Sequence, residues 1–578
     1  MLLGATTIAT IFVLSISKCC AFTGQSLSRR ENDPGVDSGP VEQITAGPVE
    51  QITGIETESC LLWLSPYRLR VQDNAALQRS KELGPDGLTI CTLWSHHLDL
   101  SIEMPPVCAF GLMALASLNS TLAGMGQQIY VIPCPVQPED MVSVMKSTIE
   151  KIRPRNIVVD TSTIEKHLRV AHRLRDDLEK DPGDTPNVVE VFDDGLLFPN
   201  EMIEEALGRS RQGGRVLRWA TFLGNAINST IDHQIGETNG VYSLPPPLAC
   251  ERPIATANLP TANDLPLWTR TLLDQWGEVS EEEAIRRATA TISTGKDPVD
   301  STSPLTEQGS KDTKLSPYLK FGLLSPRRAS KLGVRRRDLL WRDWSHVAYS
   351  IVNPLQRGDA VLGHMDHSCN KSDLDDLNEE EKERYYRWCV GKTGSKLVDA
   401  GMRQLWATGW MPRRIRLLSA ACLTEGMNIN WSLGRKWFQH TLVDHDRAIN
   451  EVMWQNAGLV GIDPFYAALP WESPPSCESD EEYVKHWLTQ QLAWPSYLKK
   501  YVELTTPLQE KVSSLAISSR LRLKQRGSYK HARTVSVSGV RVAWPGLKNV
   551  SGIKAGEVIG VGTTSISELQ QLQQQQPP

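Results

Sequence analysis

The chain has 578 residues, with 62 Lys and Arg against 67 Asp and Glu for a net charge of −5. At 40% hydrophobic and 22% charged residues, with a mean hydropathy of −0.30, it is neither wholly disordered nor fibrous, and by length it holds about four domain-sized units. The slightly acidic balance gives no global electrostatic case for binding nucleic acid, and eleven cysteines with no CxxC and no paired Cys/His spacing argue against zinc or a disulfide framework.

Residues 1–21 open with the apolar run Leu2 to Ile16 and close at Ala21, which fits a cleavable targeting segment and is short for a membrane span, so no stable span is expected. The Ala21-Phe22 junction resembles the presequences of complex plastids, which with the signal pattern points to a plastid or the secretory route. Residues 22–58 form a polar linker that carries GPVEQIT twice, at Gly39 and Gly47. Over 59–199, short apolar runs from Cys60, Leu88, Ile129, Ile157 and Val188 alternate with helical stretches such as 110–125 and 163–178, predicting a parallel α/β sheet. No Gly-rich phosphate loop marks its turns.

A Gly/Pro-punctuated connector covers 200–266, and helical periodicity then dominates 267–504, which is expected to be all-α. The extension 505–578 carries ten Lys and Arg against three Asp and Glu and ends with six glutamines between Gln570 and Gln576. It reads as a flexible tail, with its basic cluster Arg520 to Arg533 as the alternative argument for the nucleus. Eleven of the 17 tryptophans fall between Trp341 and Trp494, inside the helical unit.

Within that unit Asp446, Asn450 and Trp454 recur at steps of four and share one helix face, with the cations of 413–416 available to pair a buried carboxylate. An Arg/Asp pair beside an amide and an indole suits a polar heterocycle. The stretches GKTGSKLVDAGMRQLWATGWMPRRIRLLSA, WFQHTLVDHDRAINEVMWQNAG and KLSPYLKFGLLSPR, with LRVQDNAAL upstream, resemble the cryptochrome/photolyase family of flavoproteins, most nearly its plant-like cryptochromes.

The resemblance implies a Rossmann-like N-terminal domain, a large helical domain that binds FAD, and a folate or deazaflavin antenna as an option. Thr313, Lys314, Leu315 and Ser316 match the loop at the FAD phosphates, although Asp312 stands where a hydroxyl residue is common. Arg416 and Asp444 match the family's ion pair beside the flavin ring, Asp446 matches a polar contact to the flavin, and Arg342 matches an arginine near the cofactor. Asn450 matches the residue facing flavin N5, and as an amide with no proton to give it implies a long-lived neutral radical. Trp454 and Trp431 match the inner two members of the family's electron-transfer chain. Asn378 falls where the third tryptophan belongs, so either Tyr385 or Tyr386 substitutes, another tryptophan such as Trp437 takes over, or the chain is truncated.

At the family's DNA-lesion pocket Trp341 keeps a stacking aromatic. Asp338 replaces a glutamate, Arg413 an asparagine, Leu417 a methionine and Asn456 the second stacking tryptophan, and neither histidine of the six-four enzymes is present. The expectation is a blue-light photoreceptor in which photoreduction through tryptophans drives signalling to an unidentified partner, and no enzyme activity is assigned. The alternative is a light-driven photolyase for cyclobutane pyrimidine dimers, with Arg327, Arg328, Arg335, Arg336, Arg337, Arg413 and Arg414 on a DNA face.

Overall fold

In the computed structural model, the described residues are 58–94, 105–134, 138–161, 166–180, 186–192, 195–197, 243–248, 254, 267–292, 314–351, 355, 357–361, 371–458, 460–461, 475, 477–505, 533–537, 540–544 and 558–559. The targeting segment, the duplicated GPVEQIT, most of the connector, Asp312, Thr313, the basic cluster apart from Arg533, and the glutamine run lie outside them.

Five strands, β1 (Ser59–Trp63), β2 (Gly87–Trp94), β3 (Ile129–Pro133), β4 (Asn156–Thr161) and β5 (Asn187–Phe192), pair in parallel in the order β3-β2-β1-β4-β5. Side chains alternate across a strand, so one sequence feeds two cores. Cys60, Leu62, Leu88 and Ile90 pack on one face, whereas Leu61, Trp63, Cys91 and Leu93 pack on the other. The crossovers are α1 (Ala75–Leu83), α2 (Pro105–Gly124), α3 (Pro138–Ile152) and α4 (Lys166–Glu179). Asn74 caps α1 by accepting from the Leu77 N–H at 3.0 Å. Residues Pro106–Gly124 of α2 are long and apolar enough to cross a membrane. Their Val107, Phe110, Ala114, Leu115 and Leu118 are buried, which makes α2 a core helix. Burial pushes the Cys60 and Cys91 thiols up to about 12, in keeping with reduced core cysteines.

The second unit is helical, as expected: α5 (Leu267–Asp274), α6 (Glu281–Ile292), α7 (Ser316–Lys320), α8 (Pro326–Lys331), α9 (Arg336–Ile351), α10 (Glu379–Cys389), α11 (Lys396–Thr408), α12 (Arg413–Ala421), α13 (Trp431–Thr441), α14 (Arg447–Ala457), α15 (Glu478–Thr489) and α16 (Ser496–Val502). A core shared with the sheet joins the two units, and Phe110 of α2 sits in it edge-on to Trp276 and Tyr318 and stacked at 5.8 Å on Phe321.

Backbone contacts lock this joint. The Leu69 N–H donates to the Phe321 carbonyl at 3.0 Å, Arg70 donates to the Gly322 carbonyl at 3.1 Å, and the Val71 N–H donates to Glu281 at 2.9 Å. Gly322 has φ +66°, and a Cβ there would meet the Tyr67 carbonyl oxygen at 2.1 Å, so only glycine fits. The 69–77 segment is thus the hinge plate between the units.

In the C-terminal extension, β6 (Arg533–Val537), β7 (Val540–Trp544) and β8 (Val558–Ile559) form a second sheet. Composition alone suggested no structure in this region. The alternating β-branched residues around Ser538-Gly539 are a hairpin pattern within it.

Candidate functional site

A cavity of about 370 Å³ opens between α7, α9, α12, the 442–446 turn and α14. Its lining includes Lys314, Leu315, Ser316, Asp338, Trp341, Arg342, Arg413, Arg416, Leu417, Asp444, Asp446, Asn450 and Trp454, so the structure brings together thirteen of the sixteen residues singled out from sequence. Thr313 lies outside the described residues. Two others stand elsewhere. Asn456 does not line the cavity; it is fully buried against Gly461, where a Cβ would come within 2.3 Å of its Oδ1. It stands two residues past the wall residue Trp454 on α14, which turns it to another face of the helix. Trp431 lies behind the wall against Gly458, with the Arg435 guanidinium 5.5 Å over its ring.

The floor is built from the start of α14. Asp446 caps that helix, its Oδ1 accepting from the Ile449 N–H at 3.1 Å, while its Oδ2 lies 3.0 Å from His346 Nε2 on α9. Burial opposes ionising this carboxyl, yet the charges of His346, Lys320 and Arg342 hold it well below the usual carboxylate value. Beside it Arg416 grips Asp444 with two bonds, Nη1 to Oδ1 at 3.2 Å and Nη2 to Oδ2 at 2.8 Å, and its Nε donates to the Met411 carbonyl. The Asn450 Nδ2 donates to the Arg435 carbonyl at 3.2 Å. That contact fixes the amide orientation, because the other orientation would set two acceptors against each other.

Cations gather on one side. Lys314, in a left-handed backbone conformation at φ +50°, holds its ammonium 5.2 Å over Trp410, and Lys320 and Arg342 line the same cavity. Arg342 also donates to the Gly195 carbonyl, and the adjacent Asp343 accepts from the Leu197 N–H at 2.9 Å, which ties the loop after β5 to α9. Apolar walls come from Leu319, Leu339, Phe438, Leu442, Ile449 and Met453. The donor set of cations at one side, a paired Arg/Asp edge, an anchored amide and an indole wall fits a ring with a polar edge joined to a diphosphate.

At the other lip, Asp338 pairs with Arg335 at 2.6 Å and with Arg413 at 3.6 Å, and the Arg413 guanidinium lies 5.9 Å over the Trp341 ring. Three more arginines of the suggested DNA face are also engaged: Arg327 with Asp73, Arg328 with Glu281, and Arg414 with the fully buried Asp480. Asn378 is an exposed helix cap, exchanging bonds with Glu381 at the start of α10.

Residues 335–530 match the FAD binding domain of DNA photolyase. The chain carries a photolyase/cryptochrome FAD-binding domain. It is similar to a deoxyribodipyrimidine photo-lyase of Vibrio cholerae, 31% identical over 196 residues, which are 31% of this chain and 40% of that protein. It is also similar to a chloroplastic/mitochondrial cryptochrome DASH of Arabidopsis thaliana, 28% identical over 246 residues, 38% of this chain and 41% of that protein. The chain thus spans less than half the length of these curated relatives. The solved class III photolyase of Agrobacterium tumefaciens shares the fold, with TM-score 0.61 at 20% identity over 82% of this chain and 100% of that one.

Around this cavity the sequence pattern did not mark His346 and Lys320, which help set the charge at Asp446, or Trp410, which carries Lys314. A buried His one hundred residues from its carboxylate leaves no local pattern, whereas the Trp410-Met411-Pro412 run was in view and lacked only the pairing.

Proposed function

We propose that the protein is a blue-light photoreceptor of the cryptochrome type. The observation that carries this reading is the lip of the cavity: Arg413, held by Asp338, covers the face of Trp341 on which an extruded base would have to stack. Asn456 offers no second platform, and a stacked base is worth ~1–3 kcal/mol in such a pocket. Arginines held in ion pairs with Asp73, Glu281, Asp338 and Asp480 are less available to DNA phosphates.

FAD, when bound, supplies absorption of blue light and one-electron chemistry. Lys314, Ser316 and Arg342 would hold its diphosphate, and the Arg416–Asp444 pair would present a donor and acceptor edge to the ring. Asn450, its Nδ2 tethered, keeps Oδ1 as an acceptor and has no acidic proton to deliver. Trp454, 3% exposed, stands in the wall as the dry electron donor. Asp446 bridges α9 and α14 through His346, so a change of charge in the cavity would act on the joint between those helices.

Light-driven repair is the alternative. Under blue light with an external reductant, a change in flavin absorption while cyclobutane dimers persist in added DNA supports the photoreceptor. Light-dependent loss of dimers overturns it. The organelle address of the Arabidopsis relative agrees with residues 1–21 acting as a targeting segment, which a fusion of that segment to a fluorescent protein tests; cytosolic or nuclear signal would refute it.

A further inference from the structure

An unbroken file of oxidisable rings leads from the cavity wall to solvent, and it does not pass through Asn378. Trp454 meets Trp388 with ring centroids 6.1 Å apart, and Trp388 stacks on Tyr385 at 6.2 Å. Tyr385 meets Tyr386 at 5.3 Å, and Tyr386 meets Tyr497 of α16 at 6.4 Å. Tyr385 and Trp388 are three apart on α10 and therefore share a face. The file begins buried, with Trp454 at 3%, Trp388 at 0% and Tyr385 at 3% exposure, and ends at Tyr497, which is 43% exposed.

Charge marks the side branches as poorer paths. The Arg435 guanidinium lies over Trp431 at 5.5 Å, and the Lys500 ammonium lies over Tyr501 at 4.7 Å, although Tyr501 stacks on Tyr386 at 4.9 Å. A cation on the face of a ring is attracted to its electrons and makes removing one of them harder. Among the described residues no cation lies over Trp388, Tyr385, Tyr386 or Tyr497. Proton chemistry picks the terminus. A phenol that gives up an electron must also give up its proton. The Tyr385 hydroxyl faces the Leu433 carbonyl, at 3.4 Å, and the buried Cys389 thiol, neither of which can take a proton. The exposed Tyr497 can release its proton to water.

We infer that Tyr497 is the outer electron donor of this protein, reached from Trp454 through Trp388, Tyr385 and Tyr386. One electron leaves the Tyr497 ring and moves inward along the file to refill Trp454 after Trp454 has donated to the light-excited flavin. The Tyr497 phenolic proton goes to bulk water, a neutral phenoxyl radical stays at the surface, and no bond between heavy atoms forms or breaks. The inference rests on the photoreceptor reading in requiring light-driven oxidation of Trp454.

The test uses the full chain loaded with FAD, illuminated and freeze-quenched, with the protein radical typed by electron paramagnetic resonance and mapped by peptide analysis after trapping with a nitroso compound. The expected result is a tyrosyl radical trapped at residue 497. It is lost in Tyr497→Phe and in Trp388→Phe, and kept in Trp431→Phe. Tyr386→Phe, which removes only a hydroxyl from a half-buried ring, guards against misfolding of the Trp388 variant and should also abolish the tyrosyl signal. A tyrosyl signal that survives Tyr497→Phe, or trap found at another residue, overturns the inference. A purely tryptophanyl radical abolished by Trp431→Phe overturns the route and leaves the photoreceptor reading intact. The absence of any protein radical overturns both.

Discussion

The two oxygens of Asp446 do separable work, and two substitutions pull them apart. Asp446→Asn keeps an oxygen for the Ile449 N–H, and Asn caps a helix about as well as Asp does. Its amide nitrogen can donate to His346 Nε2 if the ring proton moves to Nδ1, which has no hydrogen-bond partner among the described residues. The loss is then the difference between a charge-assisted bond and a neutral one, roughly 1–2 kcal/mol. Asp446→Ala gives up the cap as well, about 1 kcal/mol, and leaves buried positive charge unanswered, for a total of about 3–5 kcal/mol.

The pH dependence carries a definite sign. Asp446 titrates in the folded protein well below its ordinary 3.8, so its contribution is complete above that value and is lost as pH falls through the folded pKa. Urea unfolding of wild type and both variants from pH 7 downward measures this. The gap between wild type and Asp446→Asn should hold steady at neutral pH and narrow as pH drops below 3.8. Equal losses in the Asn and Ala variants would refute the division of labour, and a gap indifferent to acid would refute the electrostatic part.

Asn450→Asp should destabilise by ~1–3 kcal/mol at neutral pH, because a carboxylate facing the Arg435 carbonyl has nothing to donate. The new carboxyl would have a raised folded pKa, so this variant should regain stability on acidification while wild type does not, as read by thermal melts at pH 7 and pH 5. Gly434→Ala sets a Cβ 2.2 Å from the Trp454 ring; overpacking of ~1–3 kcal/mol against a helix gain of ~0.5–1 kcal/mol predicts a lower Tm and an altered near-UV Trp signal. Arg414→Ala strands the fully buried Asp480 and should cost ~3–5 kcal/mol in urea unfolding, most of it recovered in the double variant with Asp480→Asn. Arg413→Ala, which breaks an ion pair with both side chains about a third exposed, should cost under ~1 kcal/mol in the same assay, and any gain in affinity for dimer-containing DNA would show that the uncovered Trp341 face is usable.

The α/β half was legible because each strand buries both faces. Runs such as CLLW and LTICTLW are apolar without alternation, and the intervening helices fix the sheet as parallel. The helical half was legible as helix from its period, and its site from the stripe at Asp446, Asn450 and Trp454, which the structure places along one wall. What stayed hidden were the partners. Periodicity cannot choose Asp444 among the acids as the partner of Arg416, a pairing that only the family resemblance implied, and His346 meets Asp446 only because α9 crosses α14.

The same gap explains why Asn378 left the outer donor open between Tyr385 or Tyr386, another tryptophan such as Trp437, and a truncated path. Counting along the chain asks which residue occupies one position, whereas the structure asks which rings touch. Tyr385 and Trp388 lie seven and ten residues further along, on a helix that Asn378 merely caps. A position can therefore lose its aromatic without the domain losing a way out for charge, provided the last turns of α10 face both Trp454 and α16. Placing a charged residue at Tyr386 should separate these two ideas. If Tyr386→Glu leaves α10 folded by circular dichroism while the surface radical disappears, ring contact is what the sequence conceals. If the radical persists, residue order along the chain was the better guide.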